Sequence, residues 1–202
     1  EGMRCADTVE VDIRQTRDGV LVIMHDATLD RTTNGHGLVR TCTMAALQRL
    51  DAGEGEKIPT FREVLDLVGG RCGLFAEIKE PGTEDPVCTL IHEAGIRDVT
   101  VVSFHASAIR RVKEYADIRT GLIVSGTNAG TVDFALDLGA NVLLPEFSMV
   151  TPALVTEAHR EYLSLVAWTV NDDAEIRRAL DLEIDGIATD NPCHARYVID
   201  HC

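Results

Sequence analysis

A parallel β/α barrel of the TIM type carrying one small insertion is the fold this sequence predicts. From Ile58 onward, helix-like and strand-like segments alternate with little else between them. The strand-like segments VTVVSF, GLIVS, NVLLP and LSLVAWTV are near-continuous apolar runs, as expected when both faces of a parallel sheet are covered. Polar residues gather at the ends of these runs: Glu10 and Asp12, Glu77 and Lys79, Ser103, Ser125, Glu146, Trp168 with Asn171, and Thr189-Asp190. In a parallel barrel those ends open on one face, where active sites are built.

The elements follow in order. Val9, Val11 and Ile13 alternate with Glu10, Asp12 and Arg14, a strand pattern that projects both carboxylates the same way. Two inward carboxylates are costly unless a cation or substrate meets them. Arg17-Asp18-Gly19 reads as a turn, and the apolar run Val20 to Met24 then delivers His25-Asp26. Residues 27–57 precede the next clear helix, too long a stretch for an ordinary connection. With a helix expected near Met44 to Leu50, this stretch reads as a small subdomain over the barrel mouth. Thr60-Phe61-Arg62-Glu63 resembles a capped helix start, with the helix running to Val68 and stopped by Gly69-Gly70.

The alternation then continues: strand Gly73 to Lys79, helix Thr83 to Ala94, strand Asp98 to Phe104, helix Ala106 to Tyr115, strand Thr120 to Ser125 and helix Thr131 to Leu138. Strand Asn141 to Phe147 precedes a helix opened by Thr151-Pro152, where proline sits favourably in the first turn, and reaching Tyr162. Strand Leu163 to Val170, helix Asp172 to Leu182, strand Gly186 to Thr189 and a short helix from Pro192 finish the chain.

Counting Val9–Ile13 as the first, these are seven strand–helix units, whereas eight close a barrel of about 250 residues. The economical expectation is an eighth strand upstream of residue 1, with Glu1–Cys5 as the tail of its helix. An open doubly wound sheet is the runner-up, but no glycine-rich dinucleotide fingerprint supports it.

At 202 residues and 45% hydrophobic, the chain suits one catalytic domain with a real core. Thirty-three acidic against nineteen basic residues give a net charge of −14, which disfavours nucleic acid and offers no polybasic membrane patch. No run approaches the roughly 20 apolar residues that span a bilayer. The six cysteines (Cys5, Cys42, Cys72, Cys88, Cys193, Cys202) show no zinc spacing and read as reduced thiols in a cytoplasmic protein, a Cys193–Cys202 bridge being the alternative.

The run VEVDIRQTRDGVLVIMHDATLDRTTNGHG, then IPTFREVLDLV, a strand ending EIK, VVSF, AWTVND and DGIATDNP together resemble the glycerophosphodiester phosphodiesterase family. HDATLDRTT and the paired acidic strand are its specific elements, and the similarity covers nearly the whole chain. The resemblance implies a TIM-type barrel with a subdomain inserted after the second strand. It implies that Glu10, Asp12 and Glu77 bind metal, that His25 is one of two catalytic histidines and that Lys79 lies near the phosphate. The family's other histidine belongs to a His-Arg-Gly motif that does not occur in these 202 residues, nor does the Pro-Glu-Asn-Thr turn that follows it. Cys5-Ala6-Asp7 also departs from the family, which usually has a glycine before the alanine.

The chemistry agrees. Three carboxylates are hard oxygen ligands suited to Mg²⁺ or Ca²⁺, and such a divalent cation would bind a phosphodiester oxygen and stabilise developing charge. Histidine transfers protons near neutral pH. Lys79 from spacing alone is as well read as a surface lysine, and the resemblance decides for a substrate contact. Trp168 serves either core packing or a wall for the glycerol moiety. Asp30-Arg31 and Asp190 read as turn and ion-pair residues, and the six other histidines lack ligand spacing. The expected activity is metal-dependent hydrolysis of glycerophosphodiesters to sn-glycerol 3-phosphate and an alcohol. A phospholipase D-like lyase forming a cyclic phosphate, and a non-catalytic ligand-binding barrel, are the alternatives.

Overall fold

The computed structural model describes residues 2–115, 117–126 and 130–202. Glu1, the first residue of the expected helix tail Glu1–Cys5, lies outside them; Gly2–Arg4 form a single 3-10 turn.

Among the described residues, eight strands make one curled sheet. They are β1 (Thr8–Gln15), β2 (Leu21–Ile23), β3 (Gly73–Ile78), β4 (Val99–Ser103), β5 (Arg119–Val124), β6 (Val142–Pro145), β7 (Ser164–Ala167) and β8 (Gly186–Ile187), in the order β2-β1-β3-β4-β5-β6-β7-β8. Seven run parallel, matching the seven units read from the sequence, and β2 folds back antiparallel on β1 with Ile13 opposite Ile23. The helices are α1 (Met44–Leu47), α2 (Phe61–Val68), α3 (Glu84–Ala94), α4 (Ala106–Tyr115), α5 (Thr131–Asp137), α6 (Pro152–Arg160), α7 (Asp173–Asp181) and α8 (Pro192–Asp200). This is the alternating α/β architecture of a TIM-type barrel.

Period-two alternation sorts each strand between two environments. On β1, Val9, Val11 and Ile13 join Leu74, Ala76 and Ile78 of β3 in an apolar layer shared with Phe61, Leu65 and Val68 of α2 and Val87 and Ile91 of α3. Full burial of a side chain such as Ile13, Phe61, Leu65 or Leu74 contributes about 1.5–3 kcal/mol. The opposite faces of the strands point into the barrel. There Val102, Ile123, Val142 and Leu144 pack with Phe75, Val166 and Trp168. Gly121 fits closely in that layer: a Cβ there would stand 2.6 Å from Leu144 Cδ1 and force that side chain to shift.

Helix α2 shows how local sequence sets an element. Thr60 accepts from the Glu63 backbone while Glu63 returns a bond to Thr60, and Gly69 at φ 43° ends the helix. Between β2 and α2 the chain bridges Thr28 to Leu38, passes through a 3-10 turn at Val39–Thr41 and forms α1. A small cluster of Val22, Met24, Leu29, Val39, Leu47 and Ile58 is buried under it. Asp18, in the turn beyond β1, accepts from the Met44 amide, and the Arg17 amide donates to Cys42.

Among the described residues no ladder joins β8 to β1. The two sides of that seam are tied by a Cys5–Cys193 disulfide, by Arg196 of α8 paired with Asp7 at 2.6 Å, and by an Arg196 bond to the Cys5 carbonyl. The reduced-thiol reading is therefore corrected for Cys5 and Cys193, and the Cys193–Cys202 alternative falls because Cys202 is free. The partners are 188 residues apart in sequence, and only the curl of the sheet brings them together. No helix among the described residues is long and apolar enough to cross a membrane.

Candidate active site

Strand register builds the site. Asp12 on β1 lies directly opposite Glu77 on β3, and Glu10 is one inward position before Asp12. Ligand oxygens of Glu10, Asp12 and Glu77 all lie within 4.8 Å of one another. Glu77 is buried, Asp12 half-buried, and Glu10 keeps solvent access although protein surrounds it. Burial pushes the Glu10 carboxyl up to about 8, with Asp12 and Glu77 adding to the rise and Lys79 opposing it. Glu77 is also raised, chiefly by burial, against the pull of Lys79. The cluster carries more negative charge than its surroundings accommodate.

Lys79, one residue past β3, answers part of that charge. Its Nζ stands 2.8 Å from Glu77 and 3.1 Å from Asp12. Burial works against the ammonium, but these carboxylates outweigh it and raise the lysine above its ordinary value.

His25 reaches the same place from β2. Met24 donates its amide to the Asp12 carbonyl at 2.9 Å, extending the hairpin one residue beyond the formal strand. The His25 carbonyl accepts from Arg14 Nε at 3.0 Å and Nη2 at 2.7 Å, while Arg14 pairs with Glu80. The imidazole Nδ1 lies 2.7 Å from Asp26 Oδ1. Asp26 is gripped in turn by Arg31, which holds its carboxyl well below the usual carboxylate range, with His25 assisting.

Trp168 follows β7, four strands along the sheet from β3. Its Nε1 donates to the Leu144 carbonyl at 2.8 Å, and its ring meets exposed Phe104 edge-on at 5.6 Å. The tryptophan thus packs with the barrel interior while forming an aromatic wall with Phe104 near the strand ends.

The structure brings Glu10, Asp12, Glu77, Lys79 and His25 together and sets Trp168 on the far wall. Asp30 accepts from the Gly37 amide and contacts His36, and Asp190 accepts from Asn171. His159 and His194 pair with Asp185 and Asp173, and His201 stacks on Tyr197. Arg14 and Glu80 were not singled out from sequence. Arg14 shares the inward phase of Glu10 and Asp12 on β1, a signal that could have marked it.

Comparison with known proteins gives concordant matches. The model of the glycerophosphoryl diester phosphodiesterase family matches residues 4–194. A glycerophosphodiester phosphodiesterase of Caldanaerobacter subterraneus subsp. tengcongensis is 35% identical over 202 aligned positions, 93% of this chain and 83% of that protein. One from Bacillus subtilis is 30% identical over 93% of this chain and 74% of its own length. Among solved structures, an Oleispira antarctica phosphodiesterase in complex with the product sn-glycerol-3-phosphate superposes with a TM-score of 0.89 at 26% identity, covering 98% of this chain and 87% of that one.

Proposed function

This chain belongs to the glycerophosphoryl diester phosphodiesterase family, and from that premise we propose that it hydrolyses glycerophosphodiesters to sn-glycerol 3-phosphate and an alcohol. In this reading Glu10, Asp12 and Glu77 hold a divalent cation and His25 moves the proton. The carrying observation is the meeting of three carboxylates within 4.8 Å, two of them with raised proton affinity, beside a lysine and a histidine. Carboxylates so crowded fit a cation better than they fit solvent. Their hard oxygens favour Mg²⁺ or Ca²⁺ over zinc.

Such an ion would supply charge stabilisation to the phosphodiester during displacement at phosphorus. The chain's own groups do the rest. Lys79 adds a positive contact for the anion. His25 takes a proton from the attacking water or gives one to the departing alkoxide. Trp168 and Phe104 offer apolar surface to the glycerol carbons. The 27–57 subdomain, tied to the turn beyond β1, walls the mouth of the barrel. The Oleispira antarctica phosphodiesterase was solved with sn-glycerol-3-phosphate, which supports the product assignment here.

Phosphorus NMR of the products tests the proposal. Glycerophosphocholine incubated with the full-length protein and Mg²⁺ or Ca²⁺ should yield an acyclic phosphomonoester, glycerol 3-phosphate. A cyclic phosphate from a lysophospholipid, with glycerophosphocholine untouched, would assign the lyase reaction instead.

A further inference from the structure

Resting on the reading of His25 as the proton-transfer group, we infer that Asp26, clamped by Arg31, is the positioning residue that fixes the His25 ring with its hydrogen on Nδ1 and leaves Nε2 to handle the reacting proton.

The contacts are complementary. Asp26 Oδ1 lies 2.7 Å from His25 Nδ1 and accepts from Arg31 Nη2 at 3.0 Å, while Oδ2 accepts from Arg31 Nε at 2.6 Å. Two bonds from one guanidinium fix the plane of the carboxylate, the geometry at which arginine excels. An ionised carboxylate has no hydrogen to offer, so the 2.7 Å contact requires that Nδ1 carry one. The neutral ring then has its lone pair on Nε2. In the base role Nε2 takes a proton from water as the oxygen bonds to phosphorus. In the acid role the cationic ring returns the Nε2 proton to the alkoxide as the P–O bond breaks. Asp26 stays ionised throughout.

The rest of the local structure holds the peptide and leaves the ring to Asp26. Met24 is bonded to Asp12, and the His25 carbonyl is held by Arg14. The imidazole itself is 64% exposed, so packing does not choose its rotamer or its tautomer. Asp26 is 24% exposed and Arg31 62%, so Arg31 reaches in from the insertion to make this grip. It also neutralises the carboxylate, so Asp26 orients the ring without adding a full net charge to a site already rich in anions.

Two measurements on the full-length protein test the inference. Two-bond proton–nitrogen spectra of histidine-labelled protein, at a pH where the ring is neutral, should show His25 as the Nδ1–H tautomer. Asp26→Asn should shift it toward Nε2–H, and finding Nε2–H in the wild type would overturn the inference irrespective of how any variant folds. In kinetics, Asp26→Asn should lower kcat about 10- to 100-fold with KM within about twofold, and Arg31→Gln should act in the same direction. If His25→Ala is inactive while Asp26→Asn and Arg31→Gln keep wild-type kcat, the positioning role alone falls. If His25→Ala keeps wild-type kcat, the proton-transfer reading falls and takes this inference with it.

Discussion

Glu10 carries a clear electrostatic conflict, and the sign of its effect is testable. Its carboxyl is pushed from an ordinary 4.5 up to about 8, first by burial and then by Asp12 and Glu77. Between those values the unfolded chain has lost the proton that the folded state retains, so the folded state binds more protons. Stability of the metal-free protein should therefore fall as pH rises from about 4.5 to about 8. Melting temperatures across that window, with EDTA and with excess Ca²⁺, check this. Added cation should flatten the decline, and Glu10→Gln should remove much of it. The acidic pair was legible in sequence because period-two alternation fixes which residues share a face. Glu77 and Lys79 were legible as polar residues at a strand end, but the register that sets Glu77 opposite Asp12 was not, and the role of Lys79 rested on the family resemblance. Arg14 was equally in phase but carried no charge logic of its own until its contact with the His25 carbonyl was visible.

At the scale of elements, the hairpin and the ends of β3 and β4 position the site. Ser103, fully buried at the end of β4, donates to the Ile78 carbonyl at 2.7 Å and accepts from the His105 amide at 3.0 Å. It holds the strand end that carries Glu77 and Lys79. Ser103→Ala leaves the buried Ile78 carbonyl without this donor and should cost about 1–3 kcal/mol in urea unfolding. Thr60→Ala removes the side-chain cap of α2 while keeping the backbone N–H from which Glu63 accepts, and should cost about 1 kcal/mol in the same assay. Helix starts were the most legible boundaries, because Thr60, Thr151, Asp172 and Asn191 advertise caps and each accepts the expected backbone bond. Strand lengths were less so. The final strand was expected over 186–189 and pairs only over Gly186–Ile187, since ladder length depends on the neighbour, not on local propensity. The helix expected from Met44 to Leu50 ends at Leu47 for a similar reason: its residues are held by the small cluster around Val39 and Leu29.

For the whole molecule, the seam between β8 and β1 is the least legible feature. Alternation foretold a barrel, and the sequence comparisons and the fold agree. Nothing local, however, pairs Cys5 with Cys193 across 188 residues. Because that bridge closes nearly the entire chain, a loop-entropy argument gives it up to about 5 kcal/mol. Cys193→Ser, compared with the wild type under oxidising conditions, should lower the unfolding midpoint, and a reductant should erase the difference between the two proteins. Glu10 and Asp12 sit on the strand that follows Cys5, so if they hold the proposed divalent cation the same variant should weaken its binding.

The most direct test of the account is release of sn-glycerol 3-phosphate from glycerophosphocholine by the full-length protein. It would be measured with Mg²⁺, with Ca²⁺ and with EDTA, beside Glu77→Gln and His25→Ala. The account predicts turnover with a divalent cation, none with EDTA, and loss in both variants, with added cation rescuing Glu77→Gln in part and His25→Ala not at all. Turnover that persists in EDTA after exhaustive metal removal, or that survives in folded Glu77→Gln at low cation, would contradict a carboxylate-held cation as the centre of the site.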